Sequence, residues 1–216
     1  MSAPQPAQPP KRIVLEGRYA RLEPLAPGHA ADLFAAASVS DATQRFAYLP
    51  IEPPDSIATI DSWIAAQQGL SDPIVFAIVD KASGRAGGWQ QMMRIVPEHG
   101  AIEIGYIYWG PDIARTRLAT EALFLFAGHV FEDLGYRRFE WKCNDRNEPS
   151  KAAALRFGFQ FEGVFRQHMI VKGENRDSAW FAVLDGDWPR LKAEHERWLD
   201  PSNFEADGTQ KTKLRV

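Results

Sequence analysis

The segment ARTRLATEA, residues 114–122, places two arginines around a threonine where a long helix-forming run begins. The run continues through FLFAGHVFEDLGY, which predicts a helix over about residues 116–134 that ends at Gly135. A helix start leaves about four backbone N–H groups without partners and carries roughly half a positive charge, so it favours anions. Thr116 can serve as the N-cap, and Arg115 and Arg117 add positive charge at the same point. The segment therefore indicates either an anion-binding site or a surface turn with solvated arginines.

The composition is that of an ordinary globular protein. The chain has 216 residues, of which 45% are hydrophobic and 25% are charged, and its net charge is −3. This charge gives no reason to expect nucleic acid or a membrane as a partner, and no apolar stretch approaches the roughly 18 residues that a membrane span needs. Cys143 is the single cysteine, which excludes an internal disulfide and a cysteine-based metal site. We therefore expect no metal and a cytoplasmic location.

Three regions are predicted along the chain. Residues 1–12 are proline-rich and lack the apolar segment of a signal peptide, so they are expected to form a disordered leader. Residues 13–200 are expected to form a single domain, because a chain of this length can bury one core. Residues 201–216 are expected to form a frayed C-terminal tail.

Within the domain, hydrophobic periodicity predicts strands mixed with helices. Strands are predicted at 17–25, 73–80, 87–96, 101–109 and 136–144, with a closing hairpin at 159–171 and 176–186. Helices are predicted at 28–38, 53–69, 116–134, 148–157 and 188–199. The order of strand, anion loop, apolar helix, strand and short helix is the distinctive feature of this pattern.

Five segments in that order resemble the GCN5-related N-acetyltransferases, most closely the branch similar to ribosomal-protein N-terminal acetyltransferases. They are EIGYIYW (103–109), LATEA (118–122), LGYRRFEWKCNDRN (134–147), PSKAAALRFGF (149–159) and EGVFRQ (162–167). The resemblance implies an α/β fold whose mixed, mostly antiparallel sheet has about six to seven strands, is flanked by helices and is splayed at an acetyl-CoA site. It also implies that acetyl-CoA donates an acetyl group to a primary amine through a tetrahedral intermediate. The amine belongs to a protein N-terminus or to a small molecule.

The resemblance also assigns residues to acetyl-CoA. Family members bind its pyrophosphate with the loop before the central helix, and they align its pantetheine along a strand end and a neighbouring strand. The matching residues are Arg115, Thr116, Arg117, Leu118, Ala119 and Thr120 for the loop, Ile107, Tyr108, Trp109 and Asn144 for the strands, and Asn147 for the pantetheine amides. The family commonly has glycine at both arginine positions. Their replacement either abolishes binding or lets the guanidiniums contact phosphate oxygens directly, and we favour direct contact.

Three residues are candidates for the chemistry. Ser150 matches a serine that the ribosomal-protein branch can direct toward the CoA sulfur, and Ala154 stands where many members have a tyrosine for that purpose. The amine must also lose a proton, for which Glu103 and His168 are both candidates. Glu103 and His168 each have a purely structural alternative. Glu103 can point outward from its strand, and His168 can be an ordinary hydrogen-bonded histidine.

Structural alternatives also exist for the cofactor residues. Tyr108 and Trp109 are typical of a strand that faces a core, and Asn147 before Glu148 and Pro149 is typical of a helix N-cap.

The acceptor cannot be identified from the sequence. N-terminal peptides, free amino acids, polyamines and aminoglycosides all stay open, and so does a homodimer. A second class of function is a non-catalytic CoA-binding protein that acts as a sensor or interaction module. The missing tyrosine and glycines favour this class, whereas the retained Ser150, Asn147 and Glu103 oppose it.

Overall fold

The computed structural model describes residues 5–216 and contains an open, mostly antiparallel sheet of eight strands flanked by helices. The strands are β1 (Leu15–Glu16), β2 (Ala20–Pro24), β3 (Ile74–Asp80), β4 (Ala86–Val96), β5 (Ala101–Trp109), β6 (Arg138–Asn144), β7 (Gln160–Val171) and β8 (Glu174–Leu184). Their order in the sheet is β1-β2-β3-β4-β5-β6-β8-β7. The predicted fold class is confirmed. The strand predicted at 17–25 corresponds to β2, and the additional strand is β1, a two-residue strand at Leu15–Glu16 that was not predicted and pairs antiparallel with β2.

Within residues 5–216, six α-helices accompany the sheet. They are α1 (Ala30–Ala37), α2 (Ala42–Phe46), α3 (Ile57–Gln67), α4 (Arg117–Gly128), α5 (Glu148–Arg156) and α6 (Trp188–Leu199). The helix predicted over residues 116–134 is α-helical only as far as Gly128, and it continues as a π-helical turn over His129–Asp133. Short helix α2 was not predicted.

Backbone contacts group the chain into two compact units. The N-terminal unit contains residues 11–93 and 104–125, and the C-terminal unit contains residues 5–10, 94–103 and 126–216. The single domain at residues 13–200 stays a prediction.

Aromatic side chains form the centre of the N-terminal unit. The rings of Trp89 and Tyr108 are stacked with their centroids 4.6 Å apart, and Phe46 and Trp63 pack against this pair. The Tyr108 hydroxyl donates a hydrogen bond to the carbonyl oxygen of Ala36 at 2.7 Å. The side chain of Tyr108 is therefore part of the core, as expected for a strand that faces a core.

In the C-terminal unit, the two faces of β6 differ in character because side chains alternate along a strand. Phe139, Trp141 and Cys143 are buried, and the Trp141 ring contacts Phe157 and Phe159 at the end of α5. The opposite side carries charged and polar residues. Antiparallel pairing of Lys142 with Trp180 and of Asn144 with Ser178 joins these to one side of β8. We call this surface the polar face, and it comprises Glu140, Lys142, Asn144, Arg176, Ser178 and Trp180.

The two ends of the described chain differ from the expected disorder. Ala7 is buried, and its N–H donates to the carbonyl oxygen of Pro97 at 2.9 Å. Residues 1–4 of the predicted leader lie outside the described residues. In the predicted tail, Phe204 and Gln210 form an antiparallel bridge, and the Arg197 guanidinium donates to the Thr212 hydroxyl at 2.8 Å. Both segments are held by partners that are distant in the sequence or lie in a neighbouring turn.

Candidate active site

Helix α4 starts with a hydroxyl cap, which confirms Thr116 as the predicted N-cap, while its contact with the cofactor stays a prediction. Its Oγ1 accepts a hydrogen bond from the Leu118 N–H at 3.1 Å, and the hydroxyl donates to the carbonyl oxygen of Ile113 at 2.7 Å. Leu118, Ala119 and Thr120 in the first turn are buried. The cap therefore fixes the loop before α4 and the first turn of α4 relative to each other.

The two arginines at this helix start have different conformations. Arg115 is exposed and has φ 64, in the left-handed region that glycine adopts without strain, so it keeps a glycine-like backbone without being glycine. Arg117 is the first helical residue, and its guanidinium carbon lies 4.2 Å from the centroid of the Tyr19 ring. Such stacking holds the cation at a defined position.

Glu121 anchors the segment that carries Tyr19, a role that was not predicted although the LATEA motif contains this residue. Its buried carboxylate accepts hydrogen bonds from the backbone N–H groups of Arg18 (2.9 Å), Tyr19 (2.6 Å) and Ala20 (2.6 Å). A Cβ at Gly17 would lie 2.6 Å from Oε2 of this carboxylate, so a larger residue cannot replace glycine there. Glu121 thus indirectly positions the ring on which Arg117 stacks.

The strand end predicted to align pantetheine is irregular. Tyr106 adopts φ 50 just before Ile107, and Tyr108 is turned into the core, so only its backbone groups could serve a ligand. A Cβ at Gly88 would lie 2.3 Å from the carbonyl oxygen of Tyr108, which shows how closely β4 approaches at this point. The splayed sheet and the roles of Ile107 and Trp109 stay predictions.

Asn147 caps α5, as the sequence predicts for the alternative in which it is a helix N-cap. The side-chain oxygen of Asn147 accepts a hydrogen bond from the Ser150 N–H at 3.2 Å. Oγ of Ser150 in turn accepts from the Trp141 indole N–H at 3.0 Å. Burial raises the pKa of the Cys143 thiol, and a hydrogen bond with Ser150 acts against that rise. Ser150 thus contacts the side of β6 opposite to the polar face.

Glu103 is buried within an ion-pair network. Its Oε2 lies 2.8 Å from Nη1 of Arg94 and 2.9 Å from Nζ of Lys142, and Lys142 also lies 3.0 Å from Oε2 of Glu140. Burial acts to raise the pKa of Glu140, but hydrogen bonds from Arg138 and Lys142 outweigh it and the pKa is lowered. Glu103 therefore faces two cations and has little exposed surface.

His168, by contrast, is exposed and lies beside the polar face. Its Nδ1 is 2.9 Å from Oγ of Ser178, and its ring lies 5.8 Å from the Trp180 ring and 5.7 Å from the Phe165 ring. Partial burial lowers the pKa of His168, and the positive charges of Arg176, Arg94 and Lys142 lower it further. The imidazole is therefore neutral near pH 7 and can accept a proton.

Of the predicted catalytic residues, the C-terminal unit brings Glu103 and His168 to the polar face but directs Ser150 to the opposite side of β6. Asn144 also belongs to the polar face, and its Oδ1 accepts from the Arg146 N–H at 3.0 Å. Among residues 5–216, no three His, Cys, Asp or Glu side chains are grouped so that they could hold a metal ion. Within the same range, no helix is long and apolar enough to cross a membrane.

Sequence comparison finds relatives among acetyltransferases. The family model described as an acetyltransferase (GNAT) domain matches residues 20–160. The uncharacterized N-acetyltransferase YoaA of Bacillus subtilis (strain 168) is 31% identical over 90 residues, which are 42% of this chain and 50% of that protein. The chain thus spans about half the length of the curated relatives it matches.

Comparison of structures gives a match over nearly the whole chain. A crystal structure of a GCN5-related N-acetyltransferase from Brucella melitensis has a TM-score of 0.94 and 55% identity, and the match covers 97% of this chain and 95% of that one. The ribosomal-protein α-N-acetyltransferase RimL in complex with coenzyme A has a TM-score of 0.68 at 19% identity, covering 80% and 98%. RimL therefore shares the fold alone, and the ribosomal-protein branch stays a prediction. Because the family model covers well over half of its residues, the chain belongs to the GNAT family of acetyltransferase domains.

Proposed function

We propose that this chain transfers an acetyl group from acetyl-CoA to a primary amine. The observation that carries the proposal is the start of α4, where the family places the pyrophosphate of acetyl-CoA. The helix start is capped by Thr116, and Arg115 and Arg117 add two positive charges to it. Charge and helix polarity both fit a pyrophosphate at this position.

The Arg115 backbone supports binding despite the missing glycines. Positive φ at this residue is the conformation that a glycine would provide, so the loop can present its N–H groups as a glycine loop would. The Arg117 side chain, held over Tyr19, is proposed to contact phosphate oxygens directly. The arginines thus add charge to a loop that keeps its glycine-like shape.

Replacing Arg117 by alanine is expected to weaken acetyl-CoA binding by about tenfold or more, because a charge-assisted hydrogen bond contributes about 1.5–3 kcal/mol. The loss should shrink as salt is raised, since salt screens exposed charges. Isothermal titration calorimetry at two salt concentrations measures both effects. Arg115→Gly removes the other charge while keeping the backbone conformation, so it separates charge from loop shape.

Arg85→Ala is the matched control, because Arg85 is exposed on the turn before β4 and pairs with Asp32 at 3.4 Å. It should bind acetyl-CoA as the wild type does. Unchanged affinity in Arg117→Ala, in Arg115→Gly and in the double variant would contradict phosphate contacts by the arginines.

His168 is proposed as the proton acceptor for the attacking amine. The imidazole is exposed and neutral, whereas Glu103 is buried and paired with Arg94 and Lys142. In the tautomer that donates from Nδ1 to Ser178, Nε2 keeps its lone pair and can take a proton. Of the two candidate bases, His168 is thus the better placed to act directly or through one water molecule.

Ser150, Asn147 and the strand ends are proposed to contact the pantetheine part of CoA. For Ser150 to assist the leaving thiolate, its hydroxyl must turn from Cys143 toward the CoA sulfur. The side-chain oxygen of Asn147 is used in the helix cap, so its amide N–H₂ is the group proposed to bond pantetheine. Ile107, Trp109 and Asn144 are proposed to align pantetheine through their backbones.

A further inference from the structure

We infer that the acceptor carries a carboxylate close to its amine, and that Arg176 binds this carboxylate. The inference rests on the proposed acetyl transfer and names the substrate class for it. The proposed acceptors are free amino acids and related small amino carboxylates. Polyamines, aminoglycosides and peptide N-termini differ from them because they have no carboxylate close to the amine.

The first observation is the environment of Arg176. Its side chain is half-buried on the polar face, and its Nε donates to Oγ of Ser178 at 3.2 Å. Among residues 5–216, no carboxylate lies within ion-pair distance of this guanidinium, and nothing accepts from its Nη atoms. Withdrawing a cation from water is costly, so an anionic partner would stabilise this partly buried guanidinium. The guanidinium is therefore suited to a bidentate bond with a carboxylate from a ligand.

The second observation is the position of Arg176 relative to the proposed base. Arg176 and His168 both contact the same hydroxyl oxygen of Ser178, so guanidinium and imidazole are near neighbours. A ligand bound to the guanidinium by its carboxylate would carry an amine on the same or the next carbon toward the imidazole. An α-amino or β-amino acid keeps its amine and carboxylate within one or two carbons of each other, as two neighbouring partners require, whereas the N-terminal amine and the C-terminal carboxylate of a long peptide are far apart.

The third observation is the charge around His168. Three cations (Arg176, Arg94 and Lys142) act on the imidazole, and Glu103 is the carboxylate that opposes them. Glu103 and Glu140 offset Arg94 and Lys142, which leaves the charge of Arg176, and because like charges repel, this charge disfavours polycationic acceptors such as polyamines and aminoglycosides. A zwitterionic amino acid brings a carboxylate that offsets this charge.

The surroundings also offer apolar contact for an amino acid side chain. Phe165 is 53% exposed, and its ring centroid lies 4.5 Å from that of Trp180. Met169 lies opposite Arg176 in the β7–β8 pairing and is also partly exposed. Amino acids with apolar or aromatic side chains are therefore the expected best acceptors.

The test compares acceptors that differ only in their carboxylate: phenylalanine, phenylalaninamide and phenethylamine, with spermidine as a polycation. Release of CoA thiol should be fastest with phenylalanine, by about tenfold or more in kcat/KM over the amide. Arg176→Gln should remove this preference by raising KM for phenylalanine at least several-fold more than KM for the amide. Because Arg176 also lowers the pKa of His168, the two acceptors are compared within each variant, as a ratio at one pH. Arg166→Gln is the control, because Arg166 is an exposed arginine on the neighbouring strand β7.

Binding provides a readout without turnover. In the presence of CoA, calorimetry should detect N-acetylphenylalanine binding to the wild type and to Arg166→Gln, and binding at least about tenfold weaker to Arg176→Gln. Binding of N-acetylphenylalaninamide should not depend on Arg176.

The outcomes separate the inference from the proposed function. If the wild type acetylates the amide or spermidine with the same kcat/KM as phenylalanine, the carboxylate inference is overturned and acetyl transfer stands. If Arg176→Gln weakens acetyl-CoA binding and slows all acceptors equally, Arg176 serves the cosubstrate and the inference is also overturned. If no amine is acetylated, acetyl transfer fails, and equal binding of N-acetylphenylalanine by wild type and Arg176→Gln would then overturn the carboxylate site as well.

Discussion

Replacing Glu121 by alanine is expected to destabilise the protein by roughly 3–5 kcal/mol, because three backbone N–H groups lose a charged acceptor at once. The N–H of Ala20 is buried and cannot readily be compensated by water. Glu121→Gln should lose less, since its amide keeps one acceptor oxygen. Urea unfolding measures the free energy of unfolding of each variant.

The same substitution should also weaken acetyl-CoA binding, because the segment held by Glu121 carries the Tyr19 ring under Arg117. Glu148→Ala is the control, since the Glu148 side chain is 78% exposed and pairs with Lys151 on the surface. A Glu121→Ala variant as stable as this control would contradict the anchoring role.

Replacing His168 by glutamine is expected to lower kcat about a hundredfold at neutral pH, because general base catalysis typically contributes a factor of 100 or more. The pKa of His168 is lowered in the folded protein, so the wild type should keep its base above that lowered pKa and lose it as pH falls through it. In a plot of kcat against pH, the wild type should therefore show a fall on the acidic side, which we call the acidic limb. The variant should lack this acidic limb, and its kcat should recover partly at alkaline pH, where free amine is plentiful. Acetyl-CoA affinity should stay unchanged.

His99→Gln is the matched control, because His99 is exposed on a turn next to Gly100 and should keep wild-type kinetics. Glu103→Gln tests the other candidate base. If Glu103→Gln abolishes the acidic limb and His168→Gln does not, the proton acceptor is Glu103. Wild-type rates in the double variant would leave proton removal to water.

Elements with strong local signals were predicted closely from the sequence. Strand β5 begins and ends where predicted, and Gly69, Gly135 and Gly158 follow helices with φ between 74 and 97, as expected for chain reversals after a helix. Helix α3 starts later than predicted, because Ser56 provides the cap by accepting from the Thr59 N–H. Local chemistry thus explains both the agreement and this shift.

Features that depend on distant partners were not predictable. Nothing within residues 5–12 indicates that Ala7 donates to Pro97 and Gln8 donates to Leu134. Helix α4 changes to a π-helical turn at His129, whose Nδ1 lies 2.7 Å from Oδ2 of Asp133. The contacts of Ala7 and Gln8 arise only when the tertiary fold brings the partners together, whereas His129 and Asp133 are four residues apart and their contact is local.

In the candidate site too, local features were predictable from the sequence and features that depend on distant partners were not. Thr116 and Asn147 were recognisable because a cap depends on neighbours within the same turn. The sequence could not distinguish Glu103 from His168 as base, since the difference lies in cross-strand partners such as Lys142 and Ser178. Arg176 gave no signal at all, because its lack of an anionic partner is a property of the folded polar face.

The central claim, acetyl transfer to an amine, is tested most directly by incubating the purified protein with acetyl-CoA and single amines, and measuring CoA thiol release together with the mass of the product. The panel contains free amino acids, peptides, polyamines and aminoglycosides. We expect thiol release above the hydrolysis background, matched by one acetyl group on a primary amine and fastest with an amino acid. Tight binding of CoA without acetylation of any amine would contradict the claim and assign the chain to the non-catalytic CoA-binding class.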